Sequence, residues 1–259
     1  MNVRDVMTTK LVTVAKDRNL KDVLQVMEQK KLTKLPVVDD AGNLLGVVTD
    51  GRIVDKLGRA HNRGVVTTTM HASSVMEKDF LVAHPDEPLE ALLRDVGKPG
   101  LTMVPVCQGK KLVGLITKSD LLRLVKSEAK LASIMKKELK SVSEEERLIH
   151  ARRLLLDHDI ARLPVLKDGK IRGIIAEREI AGAFADLKGA DAHVQRVNIR
   201  DMQVGPYMRT KVVTGTGDMT AKQAADKMLK EEVGALPIVD SRGQIQGIVT
   251  RTDLIKTFA

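Results

Sequence analysis

The chain has 259 residues, a formal net charge of +9, 43% hydrophobic residues and 2% aromatics. That content builds one large core or two ordinary ones, and no apolar run reaches the roughly 20 residues a membrane span needs. The N-terminal residues lack a signal peptide's apolar core, the single Cys107 excludes an internal disulfide and suits a reducing cytoplasm, and scarce aromatics remove the stacking platforms of single-strand nucleic-acid binders.

The first pattern opens at Asp-Val-Met7. Leu20, Val23, Leu24 and Met27 fall at i, i+3, i+4 and i+7, which predicts an amphipathic helix behind an Asn19 cap. A strand through Pro36 and a second opening at Gly46 follow. Ser-Val-Met76 restarts the pattern, with Pro88 ahead of a helix burying Leu89, Leu92, Leu93 and Val96, then Pro105, Gly114 and a closing helix over Asp120 to Val125. The third pass runs from Ser-Ile-Met135 through Leu148, Ala151, Leu154 and Leu155 to Pro164 and Gly173. The fourth runs from Pro-Tyr-Met208 through Thr220 and the apolar face Ala221, Ala224, Ala225, Met228 and Leu229 to Pro237. A turn at Ser241 to Gly243 then leads to the return strand at Ile248 and Val249 and a last helix.

The register is fixed. Met7 to Pro36, Met76 to Pro105, Met135 to Pro164 and Met208 to Pro237 are all 29 residues apart, and each proline is followed nine or ten residues later by a strand-opening glycine. Four β-α-β-β-α units are expected, at 1–57, 70–126, 129–186 and 202–259. The extra residues near Gly58 to Thr69 and Phe184 to Gly205 fall inside the first and second pairs of units. They read as crossovers within two pseudo-twofold modules, 1+2 and 3+4, which suits units too small to cover their own sheets.

At the end of each return strand comes the chemistry. Thr250 and Asp253 sit where a strand meets a helix N-terminus, with free N–H groups nearby. Read alone, this is an ordinary helix cap.

Four such copies in register, over nearly the whole chain, resemble the CBS (cystathionine β-synthase) domain family. Its paired repeats are called Bateman modules, and a four-repeat chain is similar to the γ subunit of AMP-activated protein kinase and to stand-alone archaeal CBS proteins. The resemblance implies an α/β (α+β) fold whose two modules pack head to head, in one chain or across a homodimer. It implies a non-catalytic regulator that binds AMP, ADP or ATP between paired repeats and relays occupancy to a protein partner. The family signature Gly-hydrophobic-hydrophobic-Thr/Ser-x-x-Asp supplies a carboxylate that can accept both ribose hydroxyls and a hydroxyl that suits phosphate.

Carried over by position, ribose and phosphate contacts fall on Thr117, Ser119 and Asp120 and on Thr250, Thr252 and Asp253. Repeat 1 has Arg52 in place of the acid, and arginine cannot accept from a diol, so that site is expected to be empty. Repeat 3 has Ala176 and Glu179, a weaker site. The resemblance makes each site composite. The adenine wall for Asp120 comes from Met7, Leu32, Thr33 and Leu115, and that for Asp253 from Met135, Lys140, Ile160, Ala161 and Ile248. Main-chain groups just before the prolines read the adenine edge. Lys34 and Arg162, two before their prolines, are phosphate candidates, with Lys118, Arg178 and Arg251 behind them. The bland alternatives are core for Leu32 and Ile160 and solvent-facing charge for the cations.

Two other readings remain open: a sensor of S-adenosylmethionine or methylthioadenosine, for which Lys34 and Arg162 are irrelevant, and a nucleic-acid-associated protein using the basic charge. No metal is expected, because His61, His71, His84, His150, His158 and His193 show no ligand spacing. Cys107 reads as a buried strand residue and Gly215-Thr216-Gly217 as a turn.

Overall fold

The structure, a computed structural model, describes residues 1–62, 70–94, 103–186 and 201–257. Each hairpin forms in the same register. β2 (Lys34–Val38) pairs antiparallel with β3 (Leu44–Thr49), β4 (Met103–Gln108) with β5 (Lys111–Thr117), β6 (Arg162–Lys167) with β7 (Lys170–Ala176), and β8 (Ala235–Val239) with β9 (Ile245–Thr250). The residue two before each proline therefore sits opposite the first residue of the junction motif: Lys34 to Thr49, Met103 to Thr117, Arg162 to Ala176 and Ala235 to Thr250. The leading strand is a true strand only in repeat 1, as β1 (Val14–Ala15) parallel to β2. In the other three it shrinks to one parallel bridge, Ala83 to Val106, Val142 to Val165 and Gly215 to Ile238.

The amphipathic helices form where their stripes lie. In α1 (Leu20–Gln29), Asn19 accepts from Lys21 N at 2.9 Å and Leu20, Val23 and Met27 are buried. In α9 (Ala221–Lys230), Thr220 and Gln223 cap one another reciprocally. In repeat 2 the helix α4 is described only as Leu89–Leu93, with Pro88 just before it; Val96 lies outside the described residues. α1, α7 (Leu148–Asp157) and α9 all end without glycine, on Lys31, Asp159 and Glu232 at φ of 53°, 48° and 54°. The next N–H closes back onto the helix, Leu32 to Met27 O, Ile160 to Leu155 O and Val233 to Met228 O. This left-handed cap turns the chain into the hairpin.

The repeats are knitted together in two ways. Isolated antiparallel bridges join 1 with 2, at Thr8 to Leu115 and Glu77 to Val47, and 3 with 4, at Lys136 to Ile248 and Arg209 to Ile174. Beside each bridge a methionine lies over the glycine of the other repeat. A Cβ on Gly114 would stand 2.5 Å from Met7 Sδ, and one on Gly46, 3.0 Å from Met76 Sδ. Gly247 and Met135 stand in the same relation, as do Gly173 and Met208. The cores, by contrast, join 1 with 3 and 2 with 4. Leu20, Leu35 and Ile53 share a core with Leu155, Leu163 and Ile180, and Leu89, Ile116 and Leu122 share one with Met228, Leu236 and Leu254. Each buried side chain of this size contributes about 1.5–3 kcal/mol relative to exposure. The closing helices meet across these cores, α2 (Asp50–Asn62) on α8 (Glu177–Asp186) and α5 (Lys118–Leu122) on α10 (Arg251–Ile255). Arg152 on α7 adds a half-buried ion pair to Asp55, 3.4 Å away, between repeats 1 and 3.

Candidate functional site

All four strand–helix junctions open onto one central cavity of about 2620 Å³. Thr117 and Ser119, Thr250 and Thr252, and Glu179 line it, as do Lys34 and Arg162. The expected wall residues Leu32, Thr33, Leu115, Lys140, Ile160, Ala161 and Ile248 line it too. Met7 and Met135 do not. They lie over Gly114 and Gly247 and pack into the core of repeats 2 and 4, because those glycines leave room for a thioether. The carbonyls of Thr33 and Ala161 accept from Asp50 N and Glu177 N at 3.1 Å, so one acceptor position on each is already used within its own repeat.

Asp120 and Asp253 are buried beneath the cavity wall rather than lining it. Each turns Oδ2 to its own helix cap, accepting from the threonine N at 2.8 Å and Oγ1 at 2.6 Å. The cap reading of the motif is thus realised in one oxygen. The other oxygen faces the paired repeat: Thr8 Oγ1 lies 3.0 Å from Asp120 Oδ1, and Lys136 Nζ 3.5 Å from Asp253 Oδ1. Glu179 does the same with a longer arm, accepting from Ala176 N at 3.2 Å and from Arg209 Nε at 2.6 Å. In repeat 1, Arg52 N bonds Thr49 Oγ1 at 3.2 Å, and the arginine stands at the acid's position on the cavity wall.

This architecture has known counterparts. The family profile of the CBS domain matches four times, at residues 3–59, 72–127, 131–186 and 200–259.

The chain belongs to the CBS domain family.

The uncharacterized protein MJ1225 of Methanocaldococcus jannaschii is 28% identical over 276 aligned positions, covering 96% of each chain. Its crystal structure, described as that of a proposed archaeal homologue of γ-AMPK, matches over 100% of both chains with a TM-score of 0.86 and 25% identity. An uncharacterized conserved protein from Pyrococcus horikoshii shares the fold at a TM-score of 0.63 and 23% identity, over 100% of both chains. A homoserine O-acetyltransferase of Methanococcoides burtonii is 32% identical over 125 residues, which is 48% of this chain and 24% of that enzyme. CBS pairs are regulatory ligand-binding units and are generally not catalytic themselves. Among the described residues no helix is long and apolar enough to cross a membrane, and no cluster of three metal-ligating side chains occurs.

The second motif position alternates in charge from one CBS repeat to the next: Asp50, Lys118, Glu177, Arg251. Since repeats 1 and 3 share a core, as do 2 and 4, like charges meet at each interface. Arg251 Nη1 reaches Ser119 Oγ at 2.6 Å, beside Lys118. Burial, reinforced by Lys34 and Arg162, lowers the Lys118 pKa to about 8. Arg162 has its own charge disfavoured by burial and by Arg251, and its Nη1 donates to Gly234 O at 2.9 Å. Four half-buried cations, one from each CBS repeat, thus converge: Lys34, Lys118, Arg162 and Arg251.

On the other interface Asp50 is only 3% exposed, and its Oδ1 has no hydrogen-bond partner. Burial, then the Glu177 carboxylate, pushes its pKa well up; burial likewise raises Glu177. Lys34 lies among these acids. Burial lowers its pKa while Glu177, Glu77 and Asp50 oppose the shift, so its charge is already partly balanced. Across the interface of repeats 2 and 4, burial lowers the pKa of both Lys118 and Arg251, outweighing Asp253, which opposes the shift of the first, and Asp120, which opposes that of the second. The alternation of acid and base that reveals this is visible in the sequence once the repeats are aligned. Cys107 is buried in β4, and burial raises its thiol pKa.

Proposed function

We propose that this chain is a non-catalytic sensor of adenosine nucleotides, AMP, ADP or ATP, whose occupancy is relayed to a protein partner. The observation that carries this reading is the convergence of Lys34, Lys118, Arg162 and Arg251 on one cavity beside two Thr-x-x-Asp junctions. A nucleotide with its ribose at Asp120 or Asp253 directs its phosphates towards Lys118, Arg162 and Arg251, where confined cations favour an anion. Filling the cavity would tie together repeats that otherwise meet through like charges, and so favour one arrangement of the two pairs over another.

The test is calorimetric titration with AMP, ATP and S-adenosylmethionine, on the wild type and on Lys118→Glu and Arg162→Glu. The reading expects micromolar AMP or ATP binding that falls at least tenfold in both variants. Binding of S-adenosylmethionine alone, unmoved by charge reversal, would replace the nucleotide with a cationic adenosyl ligand. Duplex DNA or RNA binding that survives Asp253→Ala and weakens steeply with salt would replace the sensor altogether.

A further inference from the structure

We propose that the residue following each of the four methionines, Thr8, Glu77, Lys136 or Arg209, is the specificity-determining residue of the cleft it faces. It decides whether the junction acid has an oxygen to offer a vicinal diol. This inference rests on the adenosyl reading above.

The backbone frame is the same in all four clefts. Thr8, Glu77, Lys136 and Arg209 each exchange two main-chain hydrogen bonds, of 2.8 to 3.0 Å, with the residue after the partner repeat's glycine: Leu115, Val47, Ile248 and Ile174. Only the side chain differs, and in three clefts it contacts the acid six residues beyond that glycine.

The chemistry of each contact then differs. Thr8 is a neutral hydroxyl, able to donate to Asp120 or to accept from a ribose hydroxyl, so a diol can join the network without displacing it. Lys136 has only donors and stands at the free oxygen of Asp253, so a diol must share or displace an ammonium. Its side chain is 64% exposed, which leaves it free to move away. Arg209 donates to Glu179 Oε1 at 2.6 Å, with Arg178 Nε 3.5 Å from the same oxygen, while Ala176 N holds Oε2. A diol there must compete with two guanidinium groups at the one oxygen that faces it. In the fourth cleft the charges are reversed, with Glu77 on the methionine side and Arg52 at the acid position. No acceptor for a diol is left at that position. The order of diol affinity is therefore Asp120, then Asp253, then Glu179.

The experiment is calorimetric titration of the full chain with AMP and with 2′-deoxy-AMP. The ratio of the two affinities reads the diol contact alone, because the phosphate is common to both. Thr8 and Lys136 are exposed, so exchanging them leaves the cores untouched. Thr8→Lys should lower the ratio at the more discriminating class of sites about tenfold, and Lys136→Thr should raise it at the other class by a similar factor, the scale of one charge-assisted hydrogen bond. Arg209→Thr should add a third AMP per chain. If the wild type takes only 5′-methylthioadenosine, the same ratio is read with its 2′-deoxy form. Ratios unmoved in both exchanges, with the wild type still binding its nucleoside, would overturn the proposal and leave the sensor reading standing. A wild type that binds none of AMP, ATP, S-adenosylmethionine or methylthioadenosine would sink both.

Discussion

Arg209 Nε donates to Glu179 Oε1 across 2.6 Å, and the two residues come from opposite repeats of one pair. Glu179 is 12% exposed and carries a pKa raised first by burial, with Arg178 opposing. The bond therefore stabilises a carboxylate that its surroundings disfavour.

Arg209→Ala should leave that carboxylate without its nearest cation and destabilise the fold by about 1–3 kcal/mol at neutral pH. A folded-state pKa above the unfolded value means the folded chain holds the extra proton in the window between them, so stability falls as pH rises through it. Removing Arg209 widens that window, and the loss should shrink on acidification. Urea denaturation at pH 5 and pH 8 measures this; a penalty that grows towards acid would contradict the assignment.

The methionine–glycine contacts give a second prediction, because they are not equally forgiving. The three atoms nearest a Cβ on Gly114 all belong to the Met7 side chain, with Sδ at 2.5 Å, Cγ at 3.0 Å and Cβ at 3.3 Å, and the thioether end can swing away. A Cβ on Gly247 meets the carbonyl oxygen of Lys136 at 2.8 Å, which is part of a main-chain bridge and cannot. Gly247→Ala should cost about 1–3 kcal/mol and Gly114→Ala under about 1 kcal/mol, measured by chemical denaturation. Equal costs would mean that the methionines, not the partner main chain, set the fit.

These contacts also mark where the sequence was legible. The constant Met-to-Pro spacing gives the hairpin register, and the helices at Leu20, Leu148 and Ala221 follow from their apolar periodicity. The Thr-x-x-Asp junction reads as a cap, and Oδ2 of Asp120 and Asp253 caps. What the spacing does not contain is which apolar face meets which. The stripes on α2 and α5 are alike, so nothing local says that repeat 1 shares its core with 3 and repeat 2 with 4. Burial of Asp50 against Glu177 follows from that pairing and was hidden with it. The residue after each methionine was readable in principle, since Thr8, Lys136 and Arg209 are neutral or cationic opposite acids while Glu77 stands opposite Arg52.

Asp50 supplies the third prediction. Its folded pKa is raised well above the ordinary 3.8 by burial and then by Glu177. Between the ordinary and raised values the folded state holds more protons than the unfolded one, so this group makes stability fall as pH rises through that window. Asp50→Asn removes the titration. The variant should be more stable than wild type at pH 8, by on the order of 1 kcal/mol, and should flatten the slope between pH 5 and pH 8. Parallel slopes in the two proteins would show that Asp50 ionises freely in the fold.

Lys118 behaves in the opposite sense and ties the electrostatics to function. Its folded pKa of about 8 lies below the unfolded value of 10.5, because burial and then Lys34 and Arg162 disfavour the ammonium. Here the unfolded state holds more protons in the window, so stability is gained as pH rises from about 8 towards 10.5. Phosphates entering the cavity reverse the cause: an anion beside Lys118 favours its charged form, so binding above pH 8 must draw a proton from solution. ATP titrations at pH 8.5 in two buffers of different ionisation enthalpy should give apparent heats whose difference reports about half a proton or more taken up per site. Lys118→Met should abolish that uptake and lower ATP affinity about tenfold, while raising stability at pH 7 by on the order of 1 kcal/mol. Heats independent of the buffer would place the phosphates away from Lys118, and the cation cluster would then be a structural strain carried for some other reason.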